Sequence, residues 1–239
     1  MSRDLQRRAI PQPPDAVLFD MDGVLVDTFD AWVAVLDECR LRRGMTPLGP
    51  GPVRACWGQG LKADCETLFP GESPLVLARE YDEGFARHLE KVRGEDGVRE
   101  TVRALKEAGL RTAVVTNSPA GLARRILGLL GLEESFDAVA GGDEVARGKP
   151  DPDLVVLALE RVRCAASRAL LVGDTTLDLE AARAAGLPFV GYRLDGGDAR
   201  IDRLRDLLPI LGAGRLQSPL RLRQWGGPFR LRRVSPSAR

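Results

Sequence analysis

Hydrophobic side chains gather in five short runs along this chain, at Ala16–Phe19 and at residues 112–115, 138–140, 169–172 and 189–191, each ending in polar or glycine-rich residues. Within a run the apolar character is nearly continuous rather than alternating, the pattern of strands covered on both faces in a parallel sheet. Between the runs the spacing turns helical. Val98, Val102 and Leu105 share one face of a helix that Gly109 ends, and Pro119 opens another that runs to Leu130 before Gly131. Segments 153–162 and 177–185 read as two more, the latter stopped by Gly186. Strand alternating with helix predicts a doubly wound, mostly parallel five-stranded α/β sheet with a Rossmann-like arrangement.

One connection is too long for that rhythm. About 90 residues separate the first run from the second, whereas an ordinary strand–helix–strand unit takes roughly 30. Phe29, Trp32, Val33 and Leu36 fall at helical spacing, and Leu77, Tyr81, Phe85 and Leu89 recur every four residues, so the extra segment is mainly helical. The prolines and glycines of residues 47–52 turn the chain between its helices. The expected division is a core of residues 14–25 and 94–211, a small inserted α-helical cap domain of residues 26–93, and a tail of residues 212–239.

The chain has 239 residues, 44% of them hydrophobic, and a formal net charge of +1, which supports a real core and gives no reason to expect nucleic acid as a partner. The tail is different. It holds seven arginines and no acid among prolines, glycines and serines, and is expected to be disordered. Cys39, Cys56, Cys65 and Cys164 form no CxxC pair, and with a single histidine the chain lacks the ligands of a structural zinc site. Reduced thiols and a cytoplasmic location follow as expectations. No apolar run is long enough to span a membrane or serve as a signal peptide.

Candidate chemistry lies where the apolar runs end. Asp20 and Asp22 follow the first run, and residues two apart in an extended chain point to the same side. Taken alone, such a pair is as readily a solvated turn. The second run ends in Thr116-Asn117-Ser118 before a helix start, a place suited to phosphate oxygens but also to ordinary capping. Only four of the 35 basic residues are lysine, and one of them, Lys149, sits between Gly148 and Pro150, where the proline holds its backbone extended. The fourth run leads into Asp174 and Asp178. Four carboxylates around one crevice repel one another, and a divalent cation resolves the conflict; oxygen-only ligation with room for water suits Mg²⁺.

In this order, Asp20-x-Asp22-Gly-Val-Leu-Val-Asp-Thr, Val-Val-Thr116-Asn117-Ser118, Gly-Lys149-Pro-Asp-Pro and Gly-Asp174-Thr-Thr-Leu-Asp178 resemble the four motifs of the haloacid dehalogenase-like hydrolase superfamily. The helical insert resembles the cap of its phosphoglycolate phosphatase and β-phosphoglucomutase group. The resemblance implies that Asp20 is a nucleophile forming an aspartyl-phosphate and Asp22 the general acid and base. It implies that Thr116 and the backbone around Asn117 hold the phosphoryl oxygens, and that Lys149 neutralises charge. Mg²⁺ would be held by Asp20, the Asp22 backbone carbonyl and Asp174, with Asp178 orienting its water. Asp22 also argues for phosphoryl rather than carbon–halogen chemistry, since the dehalogenases of the superfamily lack this second acid.

The expected function is therefore hydrolysis of a small phosphomonoester, with phosphoglycolate as the leading substrate. Trp57-Gly58-Gln59-Gly60-Leu61 resembles the substrate loop of that group, and the flanking Arg54 and Lys62 are candidates to meet a substrate carboxylate. Two alternatives stay open at this point: a phosphomutase using the same motifs, and a non-catalytic binding module. The oligomeric state is not legible.

Overall fold

The computed structural model describes Ile10 and residues 14–212. The expected basic tail, Gly212 apart, lies outside the described residues. The chain makes β1 (Ala16–Phe19) and the two-residue β2 (Val26–Asp27), then four helices, α1 (Phe29–Arg42), α2 (Pro50–Ala55), α3 (Leu61–Thr67) and α4 (Pro74–Arg87), before β3 (Arg93–Gly94). From there helix and strand alternate: α5 (Val98–Glu107), β4 (Arg111–Thr116), α6 (Ala120–Leu129), β5 (Ala138–Gly141), α7 (Asp153–Arg161), β6 (Ala169–Gly173), α8 (Thr176–Ala185), β7 (Phe189–Tyr192), β8 (Ala199–Ile201) and the short α9 (Leu207–Ile210).

Six strands form one parallel sheet in the order β5-β4-β1-β6-β7-β8. The five expected strands are all present, and β8 is a sixth. It escaped prediction because it is a three-residue edge strand in which only Ile201 is buried while Arg200 faces solvent, so no apolar run marks it. Successive strand side chains point to opposite faces, and the core divides accordingly. Val17 and Phe19 join one cluster with Val102 and Leu105 of α5 and Leu122 and Ile126 of α6. Ala16 and Leu18 join the other with Leu154 and Ala158 of α7 and Ala181 of α8. Helices thus cover both faces, and β1 is buried from either side.

The insert is helical, as its spacing predicts. Gly84 of α4 lets α1 approach closely, since a Cβ there would lie 2.9 Å from Val35 Cγ1. Trp32 packs edge-on against Tyr81 and Phe85, with ring centroids 5.0 and 4.6 Å away. The proline cluster is not only a turn: Pro50 begins α2, a position where its missing N–H costs nothing. At the two ends of the insert, β2 and β3 pair antiparallel, Val26 opposite Gly94 and Asp27 opposite Arg93. All four cysteines are unpaired. Among the described residues no helix is long and apolar enough to cross a membrane.

Candidate active site

Because β1 lies between β4 and β6, with Phe19 opposite both Val114 and Val172, the residues that follow these strands emerge at one edge. The carboxyl edge of a parallel sheet, where neighbouring connections leave in opposite directions, opens a crevice. The Asp20 N–H still extends the ladder, donating to Val172 O at 2.8 Å. Asp20, Thr116 and Asp174 are therefore neighbours through strand order alone.

Lys149 arrives from the loop before α7 and binds the cluster together. Its Nζ donates to Asp20 Oδ1 at 2.6 Å, to Asp178 Oδ1 at 2.6 Å and to Val115 O at 3.1 Å. These use all three hydrogens of the ammonium. Asp20 and Lys149 are 4% and 7% exposed and Asp178 is fully buried. Burial pushes the Asp20 carboxyl well above the usual range, with the Asp178 charge adding to it and Lys149 opposing. For Lys149, burial works against the charged form, but the Asp178 and Asp20 carboxylates outweigh it and raise its pKa.

Asp178 has a second task. Its Oδ2 accepts from Thr175 N at 3.1 Å and Thr175 Oγ1 at 2.6 Å, while Asp178 N donates to Thr175 Oγ1 at 3.3 Å. This reciprocal cap starts α8. Both Asp178 oxygens are thus engaged by protein groups.

Asp174 is pushed up to about 7, by burial first and then by the Asp178 charge. Its Oδ1 is buried without a hydrogen-bond partner, a state that costs about 1–3 kcal/mol in a finished site. Gly23 packs against it at φ +89°, where a Cβ would stand 2.3 Å from Asp174 Oδ2. One carboxylate oxygen each from Asp20, Asp174 and Asp178 lie within 4.8 Å of one another. Three carboxylates with one ammonium leave a negative surplus, and oxygen donors with an orphaned Asp174 Oδ1 fit a hard divalent cation. Asp22 is not in this group; its side chain is held elsewhere.

Four donors converge on the Asp22 carboxylate. Thr28 Oγ1 and Trp32 Nε1 donate to Oδ1 at 2.5 and 3.2 Å, and Ser118 Oγ and Thr116 Oγ1 donate to Oδ2 at 3.0 and 3.4 Å. Two of these come from the start of the insert, so the position of α1 controls how Asp22 is aimed. Trp32 was legible in the sequence only as part of an apolar stripe. The usable signal is that a buried indole N–H needs an acceptor.

The Asn117 side chain is engaged by protein groups. Its Nδ2 donates to Gly58 O at 2.8 Å and Lys149 O at 2.9 Å, and its Oδ1 accepts from Lys149 N at 2.8 Å. The side chain ties together β4, the lysine loop and the insert, so only its backbone is left for a phosphate. Gly58, at φ +83°, and Gly60 both lie against the core, the latter close to Asn117. Arg54 stacks over the Phe29 ring, 3.6 Å from its centroid, and lines a hollow beside Asp174. Lys62 lines a separate groove near Arg147.

Between insert and core is a cavity of about 50 Å³ lined by Asp20, Asp22, Thr116, Ser118 and Lys149 on one side and by Trp32, Trp57, Leu61 and Asp64 on the other. Neither Arg54 nor Lys62 is among its lining residues. Sequence reading missed Asp64, which is 7% exposed. Its signal was its place on the apolar face of α3, three residues after Leu61 and four before Leu68.

A strand-end cluster of acids around one lysine, roofed by a helical insert on a doubly wound sheet, defines a hydrolase of the α/β class. The haloacid dehalogenase-like hydrolase family model matches residues 17–192, and the chain belongs to that family. It is 33% identical over 212 residues to N-acetylmuramic acid 6-phosphate phosphatase of Pseudomonas aeruginosa, covering 82% of this chain and 94% of that one. It is 34% identical over 223 residues to a plasmid-borne phosphoglycolate phosphatase of Cupriavidus necator, covering 88% and 96%. In structure it is similar to CbbY from Rhodobacter sphaeroides in complex with phosphate, with a TM-score of 0.74 and 25% identity over 83% of this chain and 99% of that one. These relatives make the chain a phosphoric monoester hydrolase.

Proposed function

We propose that the protein hydrolyses a small phosphomonoester through a phosphorylated Asp20, with Mg²⁺ as the divalent cation. The observation that carries this reading is Lys149 Nζ at 2.6 Å from Asp20 Oδ1, inside a cluster whose negative surplus calls for a cation. Asp20 Oδ attacks phosphorus, and the ester oxygen leaves with a proton from Asp22. Water, deprotonated by Asp22, then attacks the phosphorus of the aspartyl-phosphate, breaking its bond to the Asp20 oxygen, which releases phosphate and regenerates the carboxylate. Lys149 neutralises charge at the nucleophile, and the Thr116 hydroxyl with the backbone at Asn117 receives phosphoryl oxygens. Bound Mg²⁺, held by Asp20, Asp174 and the Asp22 carbonyl with Asp178 nearby, would supply electrostatic stabilisation of the transferring phosphoryl group.

A cavity of about 50 Å³ has room for one or two waters, so an ester enters when the insert and core part. We assign that opening to residues 26–93 moving as a cap about the β2–β3 crossing, on a core of residues 14–25 and 94–211 in a cytoplasmic enzyme. The test is phosphate release from a panel of phosphomonoesters with Mg²⁺, phosphoglycolate serving as the reference ester because several relatives bear its name. Wild type is expected to turn over part of the panel and Asp20→Asn none of it. Equal rates in the two proteins would remove Asp20 as nucleophile.

A further inference from the structure

Asp64 is the one charged side chain that the insert contributes to the cavity lining. It sits on α3 and both its oxygens are held: Tyr81 Oη donates to Oδ2 at 2.7 Å and Gln59 Nε2 to Oδ1 at 2.5 Å. Gln59 Nε2 also donates to Thr67 Oγ1 at 3.1 Å. The two polar donors nearest to Asp64 are therefore turned towards it and away from any ligand. Among the described residues the only cation in the lining is Lys149, and its three hydrogens are taken by Asp20, Asp178 and Val115. Trp32, Leu36, Val53 and Leu61 add apolar surface to the insert wall, and none of the lining residues from the insert is a cation.

The phosphoryl group must approach Asp20, so the organic part of the ester points towards the insert and Asp64. From this we infer that Asp64 is a specificity-determining residue, which selects esters whose leaving group carries a hydroxyl or amino group and rejects those carrying a carboxylate. A hydroxyl or amine donates to a free lone pair of Asp64; a carboxylate meets a like charge with no cation on the insert side to offset it. Burial raises the Asp64 carboxyl to about 6, opposed by the Tyr81 and Gln59 hydrogen bonds, so at neutral pH it carries its charge. This inference rests on the phosphatase reading above and turns the expected preference away from phosphoglycolate.

Glycerol 3-phosphate and 3-phosphoglycerate differ chiefly in whether one terminal carbon is a hydroxymethyl or a carboxylate, and they make the test. With the full chain and Mg²⁺ at neutral pH, kcat/KM for glycerol 3-phosphate is expected to exceed that for 3-phosphoglycerate by about tenfold or more. Asp64→Asn should shrink the ratio by about tenfold, mainly through a lower KM for 3-phosphoglycerate. Asp64→Glu, which keeps a carboxylate on α3, should preserve the preference. A wild type that favours 3-phosphoglycerate, or an unchanged ratio in Asp64→Asn, overturns the inference while leaving the phosphatase reading intact. No phosphate released from any ester overturns both.

Discussion

Lys149 Nζ donates to Asp178 Oδ1 at 2.6 Å, with the two side chains only 3% and 0% exposed, so the lysine that reaches Asp20 is anchored by the residue that caps the start of α8. Removing the ammonium leaves two carboxylates buried together. In Lys149→Met, the metal-free protein is expected to lose about 3–5 kcal/mol of stability and phosphatase turnover to fall by about two orders of magnitude or more. Urea unfolding in the presence of a chelator, beside a steady-state assay, measures both. A stability within about 1 kcal/mol of wild type would contradict the pairing.

Gly23 and Asp174 are similarly bound together. Any Cβ at residue 23 strikes the Asp174 carboxylate, and φ +89° is unfavourable for other residues. Gly23→Ala should therefore cost about 1–3 kcal/mol and weaken Mg²⁺ binding by displacing Asp174. Isothermal titration with Mg²⁺ reads the second effect; wild-type affinity in the variant would show that Asp174 can move without loss.

The orphaned Asp174 Oδ1 predicts a thermal response to the cation. At a hundredfold excess over its Kd, Mg²⁺ should add about 2.7 kcal/mol and raise Tm by several degrees. Asp174→Asn should abolish the shift while EDTA returns wild type to its starting Tm. A shift of equal size in Asp174→Asn places the ion elsewhere.

Asp64 predicts a pH dependence of stability. Its carboxyl is about 6 in the folded chain against 3.8 for the ordinary group, so the folded state binds the proton more tightly. Its contribution is fully favourable below pH about 4 and is lost as pH rises through about 6, a change of about 3 kcal/mol. Asp64→Asn cannot ionise. The stability difference between wild type and this variant, followed from pH 4 to 7 by chemical denaturation, should therefore move against wild type as pH rises. A flat difference would show that Asp64 titrates normally.

Much of this site was legible before folding. Asp20, Asp22, Thr116, Lys149, Asp174 and Asp178 stand after apolar runs or at one of an arginine-rich chain's few lysines, positions made specific by the resemblance of four segments, in order, to the family's motifs. The partners that hold them did not. Trp32 and Thr28 reach Asp22 from the insert, and Asn117 spends its amide on Gly58 and Lys149. Pairs separated by 32 or 59 residues leave no local spacing to read. Arg54 was a candidate to meet a substrate carboxylate, with a solvated helix face as the other reading, and its guanidinium lies over the Phe29 ring.

The sequence by itself determined five strands of the main sheet, the helical insert and the acids at the strand ends, because continuous hydrophobicity, helical spacing and residue type act over a few neighbouring positions; the edge strand β8 was not legible. Strand order decided the rest. Only by setting β1 between β4 and β6 does the fold bring Asp20 to Thr116 and Asp174. The docking of α1 over that edge brings Trp32 to Asp22, and that of α3 sets Asp64 in the wall of the cavity that Asp20 also lines. Hydrogen bonds and charges depend on distance in space, and that distance exists only once the layers have packed.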